Sequence, residues 1–410
     1  MHSTNLISPS AQLPSTKVVS ETQDLSDCAI LVVDDSLLIR QMISACLKSA
    51  GFTNITFAEN GKIALDAITR KHPDIIILDL EMPIMNGFEF CKQATSNPDT
   101  RSIPILIQSG KDTREDIIRA YDLGAVDMIR KPIRDYELLA RVRVHLENRV
   151  LLQKLTDYSS RVSQELAAAR DIQQAICPTA ETLENIKANL GLEILWHYEP
   201  SSELGGDIWG VDKISENKIG FFIADFSGHG VASALNTFRL HSWLSEFQKE
   251  FNDPAALMEK LNNFLCENLP AEVYATMLYG QVNTEKGLLT YSAAGTPSPI
   301  SCGSGPNGKF TFRPSKGLPL GFRKDWKYEN RTLKFDKGSR LFLYSDALVE
   351  ATDQNGDMWG EQNLIKEIRS AYGDQQCSSA ILRHVVGEFG KRNTDAVPDD
   401  LTILVLTNEG

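Results

Sequence analysis

The stretch GGDIWGVDKISENKIGFFIADFSG, residues Gly205–Gly228, consists of two apolar segments on either side of a polar turn. This pattern predicts a β-hairpin. If the hairpin centres on Glu216, Asp207 lies directly opposite Asp225 on the same face of the sheet. A shift of one residue would put the two side chains on opposite faces. The register of this hairpin therefore decides whether the two carboxylates can form one site.

Strand-like segments continue on both sides of this hairpin, from Pro178 to the last residues of the chain. Helical periodicity interrupts them at about residues 231–250, 254–268 and 361–370. Strands with grouped helices between them predict an α+β domain, in which two packed sheets are flanked by helices.

Further acidic residues stand at strand ends in this region. Asp346 follows the apolar segment SRLFLYS, and Asp399 and Asp400 precede LTILVLT. Together with Asp207 and Asp225 they can meet at one edge of antiparallel sheets, where like charges repel unless a cation lies among them. Carboxylates without a thiolate favour Mg²⁺ or Mn²⁺, and two such ions about 4 Å apart can bind a phosphoryl oxygen and activate water. The alternative is that each acid is a solvated residue at a strand end.

Residues 28–148 show a different pattern, in which short apolar segments alternate with amphipathic ones. Five such units predict a doubly wound α/β domain with a five-stranded parallel sheet. Polar residues end or follow four of the strands: Asp34 and Asp35, Asp79, Ser109, and Lys131. A single acid there would be read as a helix cap, but polar residues at matching strand ends indicate a shared site. Its crowded carboxylates call for a hard divalent cation, which also stabilises a phosphoryl group in transfer.

Residues 28–148 resemble the receiver domain of two-component response regulators, through VVDDS, DLEMPIMNGFEF, IQSG and the KP pair at Lys131. The resemblance implies a bound Mg²⁺ and a sensor histidine kinase or phosphotransfer protein as partner. It assigns six residues: Asp79 as the phosphoacceptor, Asp34, Asp35 and the Glu81 carbonyl beside it in the acidic metal pocket, and Ser109 and Lys131 as the switch. Met128 stands where receivers usually carry an aromatic residue, so the usual aromatic readout is not expected.

Residues 165–410 resemble the metal-dependent Ser/Thr protein phosphatases, in the bacterial branch of sporulation and stress-response phosphatases. The motifs LGGDIWG, IADFSGHGVASAL, YATMLYGQV, KGLPLGF, FLYSDALVEATDQNGDMWG and PDDLTILVL occur in the matching order. The resemblance implies two Mn²⁺ or Mg²⁺ ions and a phosphorylated anti-sigma-factor antagonist as substrate. By position it assigns the metal ligands Asp207, Asp225, the Phe226 carbonyl, Asp346 and Asp399, with Asp400 and His229 as secondary candidates.

Two departures from the phosphatase pattern bear on activity. Ala347 stands where the family usually has glycine, and AAGTPSPI replaces the usual loop at about residues 293–300. Neither removes a ligand, so we expect an active enzyme; altered backbone freedom at Ala347 could shift Asp346. The alternative is an inactive pseudophosphatase that acts as a receiver-gated binding switch. We expect His229 to form local hydrogen bonds rather than to act in catalysis.

A helical pattern without glycine or proline extends from Tyr136 to about Cys177. Its apolar and small residues recur three and four apart, with Glu165 as the polar exception: Leu151, Leu155, Tyr158, Val162, Ala169, Ile172 and Ile176. Such a stripe predicts either a parallel coiled coil that joins two protomers or a helix that packs on its own domains.

Length and composition set the remaining expectations. A chain of 410 residues is too long for one hydrophobic core. We expect a flexible tail over residues 1–27, a receiver over 28–148, a helical or coiled-coil linker over 149–178 and a phosphatase domain over 179–410. A net charge of −12 disfavours nucleic acid as a partner. Scattered single cysteines and the lack of a long apolar segment favour a cytoplasmic protein with no membrane partner.

Taken together, the two resemblances imply a response regulator in which phosphorylation of Asp79 controls a phosphoserine or phosphothreonine protein phosphatase. The sequence does not predict whether phosphorylation activates or inhibits, because a two-state connector can work in either direction.

Overall fold

A computed structural model describes the chain in eight segments: residues 25–110, 114–228, 230–247, 251–304, 309–352, 356–375, 377–392 and 399–410. The chain divides into two compact units, one ending at Arg161 and one beginning at Val162.

The first unit is a parallel sheet covered by helices on both faces. The strands are β1 (Ile30–Val33), β2 (Ile55–Ala58), β3 (Ile75–Asp79), β4 (Ile105–Ser109) and β5 (Asp127–Arg130), in the order β2-β1-β3-β4-β5. The helices are α1 (Leu37–Ser49), α2 (Gly61–Arg70), α3 (Gly87–Ser96), α4 (Arg114–Asp122) and α5 (Asp135–Ala175). Residues of β1, β3 and β4 are buried throughout because α2 and α3 contribute to the core on one face, and α1 and α5 to the core on the other. The predicted doubly wound five-stranded sheet is confirmed.

The second unit contains two five-stranded sheets, with strand orders β13-β10-β9-β8-β7 and β12-β11-β14-β15-β6. Its strands are β6 (Leu192–Glu199), β7 (Asp207–Ser215), β8 (Lys218–Phe226), β9 (Ala275–Asn283), β10 (Leu288–Ala294), β11 (Ile300–Cys302), β12 (Phe310–Phe312), β13 (Arg331–Lys334), β14 (Arg340–Tyr344) and β15 (Leu401–Asn408). Its helices are α6 (Ala180–Leu190), α7 (Val231–Phe247), α8 (Pro254–Asn268), α9 (Ala347–Glu350), α10 (Gly360–Gln375) and α11 (Ser378–Arg392).

Three hydrophobic clusters hold the layers of the second unit together. The central cluster joins inward side chains of both sheets, such as Trp209 and Leu404. A second cluster packs α7 and α8 on the outer face of the first sheet, and a third packs α10 and α11 on the outer face of the second. The predicted α+β architecture of two packed sheets flanked by helices is therefore confirmed.

The hairpin of β7 and β8 has the predicted register, with Asp207 paired to Asp225. The pairing register changes only between Lys213 and Ser215, next to the turn. Both faces of the hairpin are buried, one in the central cluster and one against α7 and α8. Alternation of polar and apolar residues therefore does not fix this register, and the turn sets it.

The structure contains elements that the sequence pattern did not predict. Helix α6 is one of them, although Thr179 caps its first turn and Gly191 ends it with a left-handed φ of 65°. Helix α11 is another, because Gly387 and Gly390 weaken its intrinsic helix propensity. Packing of residues such as Val385 and Phe389 against the second sheet compensates for those glycines. The short strands β11 and β12 and the short helix α9 were also missed.

Helix α5 passes through two different environments in this part of the chain. Leu138, Val142 and Leu146 are fully buried in the core of the first unit. The next turns expose apolar side chains, including Leu155 at 57% and Tyr158 at 69% of their surface. The predicted helix from Tyr136 to about Cys177 is confirmed, with ends at Asp135 and Ala175.

Candidate functional site

The carboxyl ends of β1 and β3 bring three acidic residues together. One carboxylate oxygen from each of Asp34, Asp35 and Asp79 lies within 4.8 Å of the other two. Asp34 and Asp79 are buried, whereas Asp35 is exposed. Burial raises the pKa of Asp79, and the charge of Asp34 raises it further, against the lowering effect of Lys131. An oxygen-rich group of this kind suits Mg²⁺.

Lys131 supplies the positive charge at this site. Its Nζ lies 2.8 Å from Asp79 Oδ2 and 3.1 Å from Asp34 Oδ2. Partial burial lowers the pKa of Lys131, but the hydrogen bonds to Asp79 and Asp34 raise it overall. The Lys131–Pro132 peptide bond is cis. The predicted switch lysine thus contacts the predicted phosphoacceptor directly.

The other receiver residues lie around this ion pair. Ser109 is buried at the last position of β4. Glu81 is exposed, and its backbone N–H donates a hydrogen bond to the Asp79 carboxylate. Glycine is required at position 87, the first residue of α3, because a Cβ there would lie 2.4 Å from the Asp79 carbonyl oxygen. The proposed roles of Ser109 and of the Glu81 carbonyl stay predictions.

Gln108 is a site residue that the sequence reasoning missed. Its side chain is fully buried on β4 next to Asp79, and its Nε2 donates a hydrogen bond of 2.9 Å to Asp34 Oδ2. Asp34 Oδ1 accepts a second hydrogen bond, from the Ser36 backbone N–H at 2.8 Å. The signal was a lone polar residue inside the apolar strand ILIQS.

The second unit brings Asp207 and Asp225 face to face. Thr402 Oγ1 donates a 2.5 Å hydrogen bond to Asp207 Oδ2, while Asp207 Oδ1 is buried without a hydrogen-bond partner. Burial, then the charge of Asp225, raises the pKa of Asp207 strongly. Burial also raises the pKa of Asp225 to about 8, with contributions from Asp346 and Asp399. The site concentrates negative charge and offers an unpaired carboxylate oxygen, which is the environment that a hard divalent cation would satisfy.

Asp346 and Asp399 come from the second sheet. Burial raises the pKa of Asp346, followed by the charges of Glu350 and Asp399. Asp346 immediately precedes α9, and its side chain does not cap that helix. Among the described residues, no three of the phosphatase carboxylates lie within 4.8 Å of one another as the receiver group does.

Alanine at position 347 does not strain the backbone. Ala347 is the first residue of α9 and is not among the residues with positive φ. A glycine is therefore not required there for conformational reasons. The concern that this substitution displaces Asp346 finds no support in the backbone geometry.

Position 206, by contrast, leaves little room for a side chain. A Cβ on Gly206 would lie 3.0 Å from the Phe226 carbonyl oxygen, which is a predicted metal ligand. The Gly206 carbonyl in turn accepts a hydrogen bond from the Phe226 N–H at 3.2 Å. The GGD motif therefore keeps the approach to this carbonyl open. His229, the other candidate next to this segment, lies outside the described residues.

Asp399 and Asp400 have different environments. Asp399 is exposed, and one of its oxygens accepts the Asp400 N–H at 2.8 Å. Asp400 is buried, and its carboxylate accepts hydrogen bonds from the Ser201 N–H and Oγ and from the N–H groups of Gly206 and Asp207. The hydrogen bonds of Asp400 fix the loop that leads into β7, whereas Asp399 keeps an oxygen accessible to a cation.

This difference leads to a prediction for two neighbouring variants. Asp400→Ala should lower the free energy of unfolding of the metal-free protein by about 2–4 kcal/mol, because it leaves buried N–H groups without an acceptor. Asp399→Ala should change that stability little and should weaken Mn²⁺ binding. Urea unfolding followed by tryptophan fluorescence reports on the second unit alone, since all 5 tryptophans lie there. The reverse pattern would assign the metal to Asp400.

Comparisons with known proteins cover both parts of the chain. Residues 30–143 match the family Response regulator receiver domain, and residues 215–409 match the family Stage II sporulation protein E (SpoIIE). This chain is a response regulator with a SpoIIE-type phosphatase domain. The family match indicates that this second domain is a protein Ser/Thr phosphatase.

Several relatives show how far the likeness extends. The response regulator is 26% identical to the Regulator of RpoS of Escherichia coli K12, over 73% of this chain and 89% of that protein. It is 27% identical to the Phosphoserine phosphatase RsbU of Bacillus subtilis, over 62% of this chain and 73% of that protein. A Probable cyclic di-GMP phosphodiesterase of Vibrio cholerae is 37% identical over 39% of this chain, which corresponds to 38% of the length of that protein.

A solved structure shares the fold of the phosphatase part. The SiaA-PP2C domain of Pseudomonas aeruginosa superposes with a TM-score of 0.52 at 21% identity, over 61% of this chain and 98% of that one. In the response regulator, none of the described helices combines the length and the apolar character needed to cross a bilayer.

Proposed function

We propose that phosphorylation of Asp79 controls the removal of phosphate from phosphoserine or phosphothreonine in a protein substrate. The observation that carries this proposal is the Asp207–Asp225 pair across the hairpin, in which Asp207 is buried with one carboxylate oxygen unpaired and Asp225 is half-buried. The match of residues 215–409 to the SpoIIE family supports this reaction class. The receiver site around Asp79 and Lys131 supplies the input.

The candidate ligands divide between the two sheets. Asp207 and Asp225 come from β7 and β8, while Asp346 and Asp399 stand beside β14 and β15. Thr402 holds Asp207 Oδ2, so that Oδ1 is the oxygen left for an ion. Two Mn²⁺ or Mg²⁺ ions would supply positive charge for the phosphoryl oxygens and activate water for attack. The residues themselves position those ions, and Asp207 and Asp225 release the protons that their raised pKa values favour when the ions bind.

We further propose a phosphorylated anti-sigma-factor antagonist as substrate and a sensor histidine kinase or phosphotransfer protein as phosphoryl donor. The likeness to the Phosphoserine phosphatase RsbU supports the substrate, and the receiver domain supports the donor. The division into a tail (1–27), a receiver (28–148), a linker (149–178) and a phosphatase domain (179–410) belongs to the same proposal.

Turnover of the purified full chain tests the enzymatic function. The substrates are p-nitrophenyl phosphate and a phosphoserine peptide, with Mn²⁺ or with EDTA, each before and after incubation with acetyl phosphate and Mg²⁺. We expect hydrolysis that requires the divalent ion. Binding of Mn²⁺ and of a phosphorylated antagonist without hydrolysis in any of these conditions would identify a binding switch instead.

We also propose that the exposed middle of α5 joins two protomers as a parallel coiled coil. In this segment, 56%, 57% and 69% of the surface of Leu151, Leu155 and Tyr158 is exposed to solvent. Unpaired side chains of this kind favour a partner helix.

Light scattering after gel filtration should show a dimer for the full chain and a monomer for Leu155→Glu. Gln153→Glu introduces the same charge off the stripe and should leave the dimer intact. A monomeric wild type at concentrations of tens of micromolar would rule this interface out.

A further inference from the structure

A surface cavity lies between α5 and the amino ends of β4 and β5, at the edge of the sheet opposite to Asp79. Its volume is about 700 Å³, which is within the range of pockets that bind small molecules. It is lined by residues 101–104, by the segment before β5 and by the part of α5 from His145 to Asp157. All of these residues belong to the first unit. Neither of the two acidic sites accounts for this cavity.

Arginine side chains give one side of the cavity a positive charge. Arg149 Nη1 donates to the Ser102 carbonyl at 2.8 Å, which holds this guanidinium beside the segment that carries Arg101. Arg149 Nε is buried without a partner, and Arg101 is exposed and forms no ion pair within the described part of the chain. A guanidinium has five N–H donors, so both arginines keep N–H groups for a ligand.

Carboxylates around the cavity do not neutralise these arginines. The two oxygens of Asp127, on β5, are engaged by Arg141 and by His145, whose Nε2 lies 3.2 Å away. Among the described residues that line the cavity, the acid is Asp157, which is exposed and lies about two turns of α5 beyond Arg149. In a chain with a net charge of −12, unneutralised arginines at one cavity indicate an anionic ligand, and guanidinium groups match phosphate oxygens in shape and charge.

The other side of the cavity is apolar, with two amides at its rim. Val126 and Leu152 line it and expose 42% and 64% of their surface. Asn148 and Gln153 also line it, and both are exposed. Each amide offers a hydrogen-bond donor and an acceptor. The cavity therefore suits a molecule with phosphate at one end and, at the other, a flat apolar group whose edge forms hydrogen bonds.

We propose that this cavity binds a purine nucleotide, whose phosphates contact Arg101 and Arg149 and whose base packs against Val126 and Leu152. The nucleotide would be a second input to the receiver, because it binds at the opposite edge of the sheet from the predicted phosphoacceptor Asp79. The site does not depend on the proposed phosphatase function.

The cavity and the apolar stripe of α5 occupy different faces of the helix. Leu152 and Thr156 line the cavity, and each follows a stripe residue, Leu151 or Leu155, by one position. One position corresponds to a rotation of about 100° around the helix axis. Pairing of two protomers along the stripe therefore leaves the nucleotide site accessible.

Isothermal titration calorimetry of the full chain tests the proposal, with ATP, GTP and inorganic pyrophosphate as separate ligands. EDTA is present throughout, so that neither acidic site holds a divalent ion that would attract phosphate or support hydrolysis. The variants are Arg101→Met, which removes an exposed charge at the cavity, and Arg70→Met, which removes an exposed charge at the end of α2 on the same unit.

We expect one ATP or GTP molecule to bind per wild-type chain, and pyrophosphate to bind more weakly. Arg101→Met should weaken nucleotide binding about tenfold or more, because it removes a charge-assisted contact, while Arg70→Met should match the wild type. Raising the salt concentration from about 0.1 M to about 1 M should weaken nucleotide binding in the wild type. Hydrogen exchange should slow on nucleotide binding over residues 101–104 and 145–157.

A second variant tests the end of the cavity that would hold the base. Leu152→Asn should weaken nucleotide binding and leave pyrophosphate binding unchanged, and it keeps both arginines in case Arg101→Met does not fold. The proposal would be overturned by a lack of binding of both nucleotides at about 1 mM, which corresponds to a Kd too weak for a specific site. Equal affinities of Arg101→Met and Arg70→Met, or pyrophosphate binding as tight as that of the nucleotides, would also overturn it.

Discussion

Asp225→Asn should abolish Mn²⁺-dependent phosphatase activity and, in the same protein, raise the stability of the metal-free form. The loss should be about a hundredfold or more, since even groups that only orient metal ligands contribute 10- to 100-fold. The gain in stability follows from the crowding of Asp207, Asp225, Asp346 and Asp399, whose like charges oppose folding when no cation is present.

The pH dependence of the metal-free protein has a defined sign. Burial and neighbouring acids raise the pKa of Asp225 from 3.8 to about 8, so the folded state holds a proton that the unfolded state has released. Stability from this group is therefore fully present below about pH 4 and is lost as the pH rises toward about 8. Asp225→Asn should remove this dependence of stability on pH. Thermal unfolding in EDTA between about pH 4 and pH 8 measures the dependence in both proteins.

Addition of Mn²⁺ should make the wild type more stable than Asp225→Asn, which reverses their order in the metal-free state. A ligand at 100 times its Kd stabilises the wild type by about 2.7 kcal/mol, and the variant should gain little. Glu216→Gln, which removes an exposed carboxylate at the turn of the same hairpin, is the matched control and should resemble the wild type throughout. Retention of Mn²⁺-dependent turnover by Asp225→Asn would refute the assigned metal site.

Asp79→Asn should make phosphatase activity independent of acetyl phosphate. In the wild type, incubation with acetyl phosphate and Mg²⁺ should change kcat/KM by a factor of about 5 to 150, the usual range of coupling between two sites. The substitution removes the nucleophilic carboxylate oxygen but keeps a polar group beside Lys131, whose Nζ still contacts Asp34 at 3.1 Å. The receiver should therefore remain folded while its input is lost.

The direction of the wild-type response is itself a result, because it shows whether phosphorylation activates or inhibits. Asp66→Asn provides the control, since Asp66 is an exposed acid on α2 of the same unit. Phosphate-affinity electrophoresis should show one phosphoryl group on the wild type and on Asp66→Asn, and none on Asp79→Asn. An equal response of Asp79→Asn and wild type to acetyl phosphate would exclude Asp79 as the site of control.

Local sequence patterns were sufficient to predict the fold and the position of the acids wherever residues close in sequence determine the geometry. Apolar segments alternating with helical periodicity indicated the parallel sheet, and the carboxyl ends of parallel strands necessarily share an edge. Asp34, Asp35 and Asp79 met there as expected. The pairing of Asp207 with Asp225 followed from the short turn between β7 and β8, which permits few registers.

The groups that hold these acids in place depend on contacts between distant parts of the chain. Gln108 reaches Asp34 across 74 residues, and Asp400 reaches the Gly206 N–H across 194. No sequence periodicity links such positions. The sequence therefore predicted Asp400 only as a secondary metal-ligand candidate and predicted no role for Gln108. Helix α11 was missed for a related reason, because packing against the second sheet overrides the weak helix propensity of its glycines.

The sequence by itself determined the two domain families, the long helix between them and the acids that face each other across the hairpin. The families follow from the resemblance of ordered sequence motifs, and the long helix and the facing acids follow from short-range periodicity and turn chemistry, all of which are readable along the chain. Only the tertiary structure decided which of Asp399 and Asp400 keeps an accessible oxygen, and that Gln173 contacts Gly205 and Thr237. Those outcomes depend on which buried donors and acceptors meet after the sheets and helices pack, because each buried polar group must find a partner wherever the fold brings one.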